Sequence, residues 1–483
     1  MKTTCIRGAS WLVTWDKRTG RHFYARGGDV VFAGNEIVHV GERYSGSLDE
    51  EIDGAGLMVM PGLIDIHCHP SAQAIFRGYT EEYGNPRLFN SGRHLFRQSF
   101  EPDEVAQLAT ATFTLAELLT GGVTTIVDLS HTYEGWLELL EQSGIRACVA
   151  PMYRSAGWYT DTGQETKYEW CADGGRAAFA EAIAVMDEAD RHPCGRFFSM
   201  VSPAQVDTCT EELLRDSIAL AKDTERPLHI HAAQSYAEFN GMTRRNNMTS
   251  IEWLHQLGVL SDRTVIGHAV FTDEHPWMIW PTRNDLRLLA DTGTSVAHAP
   301  TVFARDGTLL HDLGRYLGAG INIGLGTDTH PHNLLEEMRT AEILARVASG
   351  TRHCMNTADV FHCATIGGAR AIGRSDLGRL AVGCKADIVL IDLEHPAMRP
   401  VRDPLRSLVY AAADRPGRDV YVDGLRVVES GHVLTLDRDE AGHALETAQQ
   451  RTAAAVPGRD PERRALDDFM PLCLPLHNDE GCD

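Results

Sequence analysis

Eight short apolar runs, separated by stretches of helical pattern, constrain the fold of this chain more than any other feature. The runs are residues 63–67, 123–129, 145–152, 196–201, 227–231, 264–268, 294–299 and 321–327, and helical patterns lie between them, for example at 104–119 and 211–222. Strands covered on both faces read as continuous apolar runs, and their alternation with helices marks β/α units around a parallel sheet. Eight such units predict an α/β fold, a (β/α)8 TIM barrel over residues 61–374, with the active site at the C-terminal ends of the strands. The 483 residues are more than one such domain needs, and the surplus lies at the two ends. Strand-like runs at 11–15, 29–33 and 36–40, with the turn Ala33-Gly34-Asn35, return at 386–391 and 420–424. They predict a small composite β-sandwich domain built from residues 1–60 and 375–436. The polar tail 437–483 reads as a helix plus a mobile end, or as an arm on a neighbouring subunit.

Residues that bind metals recur where these runs end. His67 and His69 close the first run, Leu63-Ile64-Asp65-Ile66-His67-Cys68-His69-Pro70. Side chains two apart in a strand share a face, so the two imidazoles point together. His231 ends the fifth run, His268 ends the sixth, and Asp328 follows the eighth. A lone histidine at a strand end is usually a hydrogen-bonded structural residue. Five such side chains at the same end of four strands instead converge on the barrel mouth. Three nitrogens and one carboxylate suit Zn²⁺ with an open water position, and such an ion makes water nucleophilic at neutral pH.

Two longer motifs carry a resemblance. Pro61-Gly62-Leu63-Ile64-Asp65-Ile66-His67-Cys68-His69 looks like a PGxxDxHxH segment, and Gly378-Arg379-Leu380-Ala381-Val382-Gly383-Cys384-Lys385-Ala386-Asp387 looks like a G-x-L-x-x-G-x-x-A-D closing motif. In their order and separation, from about Trp11 to Leu436, the chain resembles the amidohydrolase superfamily. Ser202-Pro203 and His298-Ala299-Pro300-Thr301 make it most similar to the branch holding nucleoside and guanine deaminases and triazine chlorohydrolases. The resemblance implies that His67, His69, His231 and Asp328 bind one metal ion. It implies that His268 is a catalytic residue, hydrogen-bonded to the metal's water or to the reacting group. It also implies a homodimer or larger homo-oligomer.

Two departures bear on the chemistry. Binuclear relatives bridge their metals with a modified lysine at the end of strand three or four, and residues 145–154 and 196–205 contain no lysine. One divalent ion per subunit is therefore expected, zinc first, with iron, cobalt or manganese suited to the same ligands. Deaminases of this branch carry a glutamate three residues after the strand-five histidine, where this chain has Gln234. Attack on an aromatic C=N carbon needs a protonated ring nitrogen, which a glutamic acid supplies and a glutamine amide does not. At an acyl carbon the metal polarises the carbonyl, Asp328 relays the proton, and Gln234 orients the carbonyl or the departing NH. The expected reaction is thus hydrolysis of a non-peptide acyl C–N bond (amide, urea, carbamate or cyclic amide) in a small aromatic or heterocyclic molecule. The alternative is a deaminase or dehalogenase of an aminoheterocycle, with another acid such as His330 protonating the ring. A catalytically silent scaffold is the competing class, and retention of a transition metal on purification separates it from both.

Other pocket candidates are Gln205 after strand four, His298 and Phe303 at and after strand seven, His330 and His332 beyond Asp328, and Trp158 and Tyr159 after strand three. The loop 74–97 adds Phe76, Arg77, Tyr79, Tyr83, Phe89, Arg93 and Phe96. Loops after barrel strands line the site, and their aromatic content suits a flat or apolar substrate portion. The net charge of -22 argues against nucleic acid and an anionic membrane surface as partners. Eleven cysteines without C-x-x-C spacing read as reduced thiols of a cytoplasmic protein. No signal peptide or spanning apolar stretch is evident.

Overall fold

The computed structural model describes residues 2–82, 96–161, 165–412 and 417–474. Tyr83, Phe89 and Arg93 of the loop after the first run lie outside them. Each of the eight apolar runs contains a strand: β1 (Leu63–Cys68), β2 (Val123–Asp128), β3 (Arg146–Val149), β4 (Phe197–Ser199), β5 (Leu228–Ala232), β6 (Thr264–His268), β7 (Ser295–His298) and β8 (Ile323–Leu325). They form two parallel four-stranded sheets, ordered β4-β3-β2-β1 and β5-β6-β7-β8. Backbone bonds join the two sets. His229 N donates to Val201 O at 2.9 Å, and Asp328 N donates to His67 O at 2.9 Å. The fold is TIM-barrel-like and α/β.

Helices follow the strands where local chemistry favours them. In α1 (Glu104–Thr120), Asp103 caps the N-terminus by accepting from Ala106 N at 2.8 Å. In α2 (Glu211–Thr224), Thr210 plays the same part, with Glu211 and Glu212 in the first turn and Lys222 in the last, charges that oppose the helix dipole.

The chain ends share one seven-stranded sheet. Its order is His432–Val433, Leu425–Glu429, Gly417–Val422, Ile388–Asp392, Leu57–Pro61, Trp11–Asp16, Arg21–Ala25. The second sheet, Glu36–Gly41, Gly28–Ala33, Thr3–Ala9 and Glu50–Asp53, is N-terminal alone. Ile6, Val30, Phe32 and Ile37 of this sheet bury against Val59, Leu390 and Tyr421 of the first. The closing motif has a structural reason: Asp387 accepts from Arg146 Nε and Nη2, each at 3.0 Å, at the start of β3. Arg146 is fully buried and also reaches Asp423 at 2.8 Å, so a paired internal charge fastens β3 to the sheet of the chain ends.

The tail contains a helix, α3 (Arg438–Arg459), that packs along α1. A hairpin of Ala156–Tyr159 and Lys167–Trp170 follows β3, an element the sequence pattern does not announce. Among the described residues, no helix is long and apolar enough to cross a membrane.

Candidate metal centre and active site

The strand ends bring five side chains to one point. His69 Nε2 lies 3.2 Å and His67 Nε2 3.6 Å from Asp328 Oδ1, and His268 Nε2 lies 3.9 Å from Asp328 Oδ2. His231 Nε2 lies 3.4 Å from His69 Nε2. Two donors each about 2.1 Å from a tetrahedral ion stand about 3.4 Å apart, so these spacings suit coordination of one small divalent cation. His67 Nε2 is buried with no hydrogen-bond partner among the described residues, a cost that a bound cation removes.

The outer nitrogens set the inner ones. His69 Nδ1 bonds Leu129 O at 2.6 Å and His231 Nδ1 bonds Ala204 O at 2.7 Å. Each carbonyl requires a proton on Nδ1, which leaves the Nε2 lone pair facing the centre. Asp65 accepts from His67 N at 3.0 Å and from Thr327 Oγ1 at 2.7 Å, fixing β1 against the end of β8. His268 and Asp328 have φ values of +83° and +55°, left-handed conformations that side chains seldom adopt and that cluster at functional sites.

Electrostatics favours neutral imidazoles at His67, His231 and His268 and an ionised carboxylate at Asp328, whereas burial acts to lower His69 but its hydrogen bond to Asp328 outweighs it and raises the group. Burial drives His67 and His231 well below their ordinary range, takes His268 down to about 4, and takes His229 and His298 to about 3. Burial acts to raise Asp328, but the hydrogen bond to His69 and the surrounding imidazoles outweigh it and hold the group well below the usual carboxylate range.

Close approach depends on glycine. A Cβ on Gly326 would sit 2.4 Å from His67 Cβ and 2.7 Å from His67 O. Gly326→Ala is therefore expected to cost about 1–3 kcal/mol of stability and to lower the zinc retained per chain. Denaturant unfolding and metal analysis check both; an unchanged midpoint with full zinc would show that β1 and β8 can separate freely.

Residues 58–427 match the model of the amidohydrolase family. The chain belongs to the amidohydrolase family. This amidohydrolase is a hydrolytic enzyme acting on C–N bonds other than peptide bonds. It is 29% identical over 466 residues to a 5-methylthioadenosine/S-adenosylhomocysteine deaminase of Pelotomaculum thermopropionicum, covering 94% of this chain and 99% of that protein. A zinc-bound adenosine deaminase from Xanthomonas campestris shares the fold, with a TM-score of 0.80 at 21% identity over 93% of this chain and 98% of that one. Atrazine chlorohydrolase from Arthrobacter aurescens, complexed with zinc, superposes with a TM-score of 0.79 at 25% identity, covering 92% of this chain and 100% of the other.

A cavity of about 570 Å³ opens over the centre of the amidohydrolase, and His69, His231, His268 and Asp328 form part of its wall. Gln205, Gln234, Phe303 and Trp158 line it. Gln234 N donates to Glu238 Oε2 at 2.9 Å and Ala233 N to Glu238 Oε1 at 2.7 Å, so a buried carboxylate holds the turn that presents Gln234. Phe303 packs edge-on against His268, 5.0 Å between centroids.

Two of the expected pocket residues stand apart from this cavity. His330 does not line the cavity: its Nδ1 meets Gln73 O at 3.1 Å and its Nε2 meets Glu81 Oε1 at 2.8 Å, so both nitrogens are committed to the loop after β1. His298 is buried at the end of β7 but also stands off the cavity, because the helix Pro300–Arg305 turns over the strand end and sends Val302 and Phe303 in. Neither His330 nor His332 is a surface residue, at 3% and 0% exposure. Tyr159 is not part of the lining, and Phe76, Phe96 and Tyr79 pack among themselves and the tail.

Arg154, His131, Gln73, Gln98 and Glu101 line the cavity without having been singled out by the sequence. Arg154 matters most. Its side chain makes no hydrogen bond or ion pair among the described residues, and burial lowers its pKa. Its signal is its position, two residues beyond the run 145–152, where strand ends face the site.

Proposed function

We propose that this amidohydrolase cleaves an acyl C–N bond (amide, urea, carbamate or cyclic amide) of a small heterocyclic molecule, using water activated by one zinc ion. The observation that carries the reading is Gln234: it occupies the cavity wall beside His231 and Asp328, where an amide and not a carboxylic acid meets the substrate. His67, His69, His231 and Asp328 would hold the ion, which when bound supplies polarised water and Lewis acidity at neutral pH. The absence of lysine from 145–154 and 196–205 supports a single ion. Asp328, ionised at neutral pH, accepts the proton of the attacking water and passes it to the leaving nitrogen. His268, its Nε2 aimed at the same point, donates to the oxygen that gains charge. Gln234 can accept from the departing NH or donate to the carbonyl, and Arg154 offers a cation to an anionic or carbonyl group of the substrate.

The second reading, hydrolytic deamination or dehalogenation of an aminoheterocycle, is favoured by the names of the relatives. A panel of N-acyl, cyclic amide and urea heterocycles alongside adenosine and 5-methylthioadenosine, run with zinc-loaded enzyme, separates the two. Ring opening or release of an amine larger than ammonia is the expected result; faster ammonia release from the adenine nucleosides would overturn the acyl reading.

The architecture is proposed to match. Residues 61–374 form a closed (β/α)8 barrel, supported by the bonds from Asp328 N to His67 O and from His229 N to Val201 O. Residues 1–60 and 375–436 form a composite β-sandwich, supported by the apolar cluster between their sheets. The net charge of -22 fits a protein without nucleic-acid or membrane partners. We place it in the cytoplasm as a homodimer or larger homo-oligomer.

A further inference from the structure

We propose that the C-terminal helix α3 is part of the substrate-binding wall, with Gln449 as its positioning residue. The inference rests on the reading of the 570 Å³ cavity as the substrate site. That cavity takes one side from the connection after β1, through Ala72, Gln73, Arg97, Gln98 and Glu101. These residues sit in turns and in single short helical turns, at 74–76 and 96–99, and segments so short keep a shape only where something outside them supplies contacts. The tail supplies them. Gln449 Nε2 donates to Ile75 O at 2.7 Å and to Arg77 O at 2.9 Å, just beyond Gln73. Arg459 Nη1 donates to Glu101 O at 2.6 Å, and Arg451 makes a two-pronged bond to Asp103 at 3.0 and 2.7 Å. The polar tethers thus land beside Gln73 and at Glu101, at the two ends of this wall.

Apolar packing acts in the same direction. Ile75, Phe96 and Phe100 of the connection bury with Leu445, Ala448 and Val456 of α3 in a cluster separate from the barrel core. The buried face of α3 runs through Ala441, Leu445, Ala448, Thr452 and Val456, spaced as one helical stripe, and Gln449 stands at its edge. Its amide is the one side chain of the three tethers that is uncharged and bonds two carbonyls at once. A carboxylate of the same shape would face both carbonyls with no proton to donate.

The test uses the full-length, zinc-loaded enzyme and three variants, with Glu446→Ala on the solvent side of the same helix as a control. Gln449→Glu is isosteric and lacks the donors; Gln449→Lys restores donors without the amide. In hydrogen exchange without substrate, Gln449→Glu is expected to speed exchange of amides 72–77 and 97–103 about tenfold, the loss of two hydrogen bonds, and to leave β5–β8 unchanged. With a panel substrate, its KM is expected to rise about tenfold at a kcat within about twofold of the parent, with zinc content unchanged. Gln449→Lys and Glu446→Ala should match the parent in both measurements. Unchanged exchange overturns the inference even if no panel substrate turns over, so its failure is distinct from failure of the proposed reaction. Faster exchange with an unchanged KM, a fall in kcat alone, or a Gln449→Lys enzyme that behaves like Gln449→Glu overturns it as well.

Discussion

Asp328→Asn is expected to yield a folded protein whose kcat/KM falls by at least about a thousandfold, the range for loss of a positioned general base, and whose affinity for zinc drops as well. The side chain serves two ends. Its Oδ1 lies 3.2 Å from His69 Nε2 and 3.6 Å from His67 Nε2, at the spacing of donors around one ion. Its charge is held by the imidazoles around it, which keep the carboxyl ionised despite burial. Asparagine keeps the shape and one acceptor oxygen but has neither the charge to balance a cation nor a site for the proton. Folding should survive, because the amide keeps the size and shape of the side chain and carries no charge that burial penalises. Metal analysis and kinetics at saturating zinc divide the two contributions. If saturating zinc restores the parent kcat, Asp328 is a ligand only and the proton passes elsewhere. A variant with parental kcat and full zinc would remove the centre from the account altogether.

The fold was legible because its strands are buried on both faces. Each of the eight runs reads as an apolar block, and the segment from Leu63 to His69 adds a two-residue alternation that sets both imidazoles on one side. The gathering of His231, His268 and Asp328 follows from their place at strand ends, which position in the sequence reveals. What position does not reveal is the partner of each side chain. His330 lies two residues beyond Asp328, yet its ring is taken up by Gln73 and Glu81 from a distant loop. Arg154 was readable only as one cation among many, and its lack of a side-chain partner among the described residues is a property of three dimensions. The tail helix escaped assignment to a surface for a related reason. Its buried stripe is built mostly from small residues, Ala441, Ala448 and Thr452 among them, so the contrast between its faces is faint in the sequence. The closing motif was recognisable without its cause, which is the buried pairing of Asp387 with Arg146 across 241 positions.

Gln234→Glu is expected to raise ammonia release from adenine nucleosides by about a hundredfold or more, the usual contribution of a positioned acid, while zinc binding persists. Geometry favours a clean exchange. The main chain at Ala233 and Gln234 is held by Glu238 through two amide bonds of 2.7 and 2.9 Å, neither of which involves the Gln234 side chain. The new carboxyl would enter a cavity wall where residue 234 is only 9% exposed. Burial penalises the charged form, so the acid would hold its proton closer to neutral pH than a surface glutamate does. It could then protonate a ring nitrogen as water adds and return the proton to the leaving amine. Acyl hydrolysis should fall, because a carboxyl offers at most one O–H donor where the amide offers two N–H donors. Parallel kcat/KM values for adenosine and for a cyclic amide, parent against variant, read the exchange directly. If both substrates respond alike, or neither responds, the residue at 234 does not select the reaction, and the preference for acyl chemistry loses its physical basis.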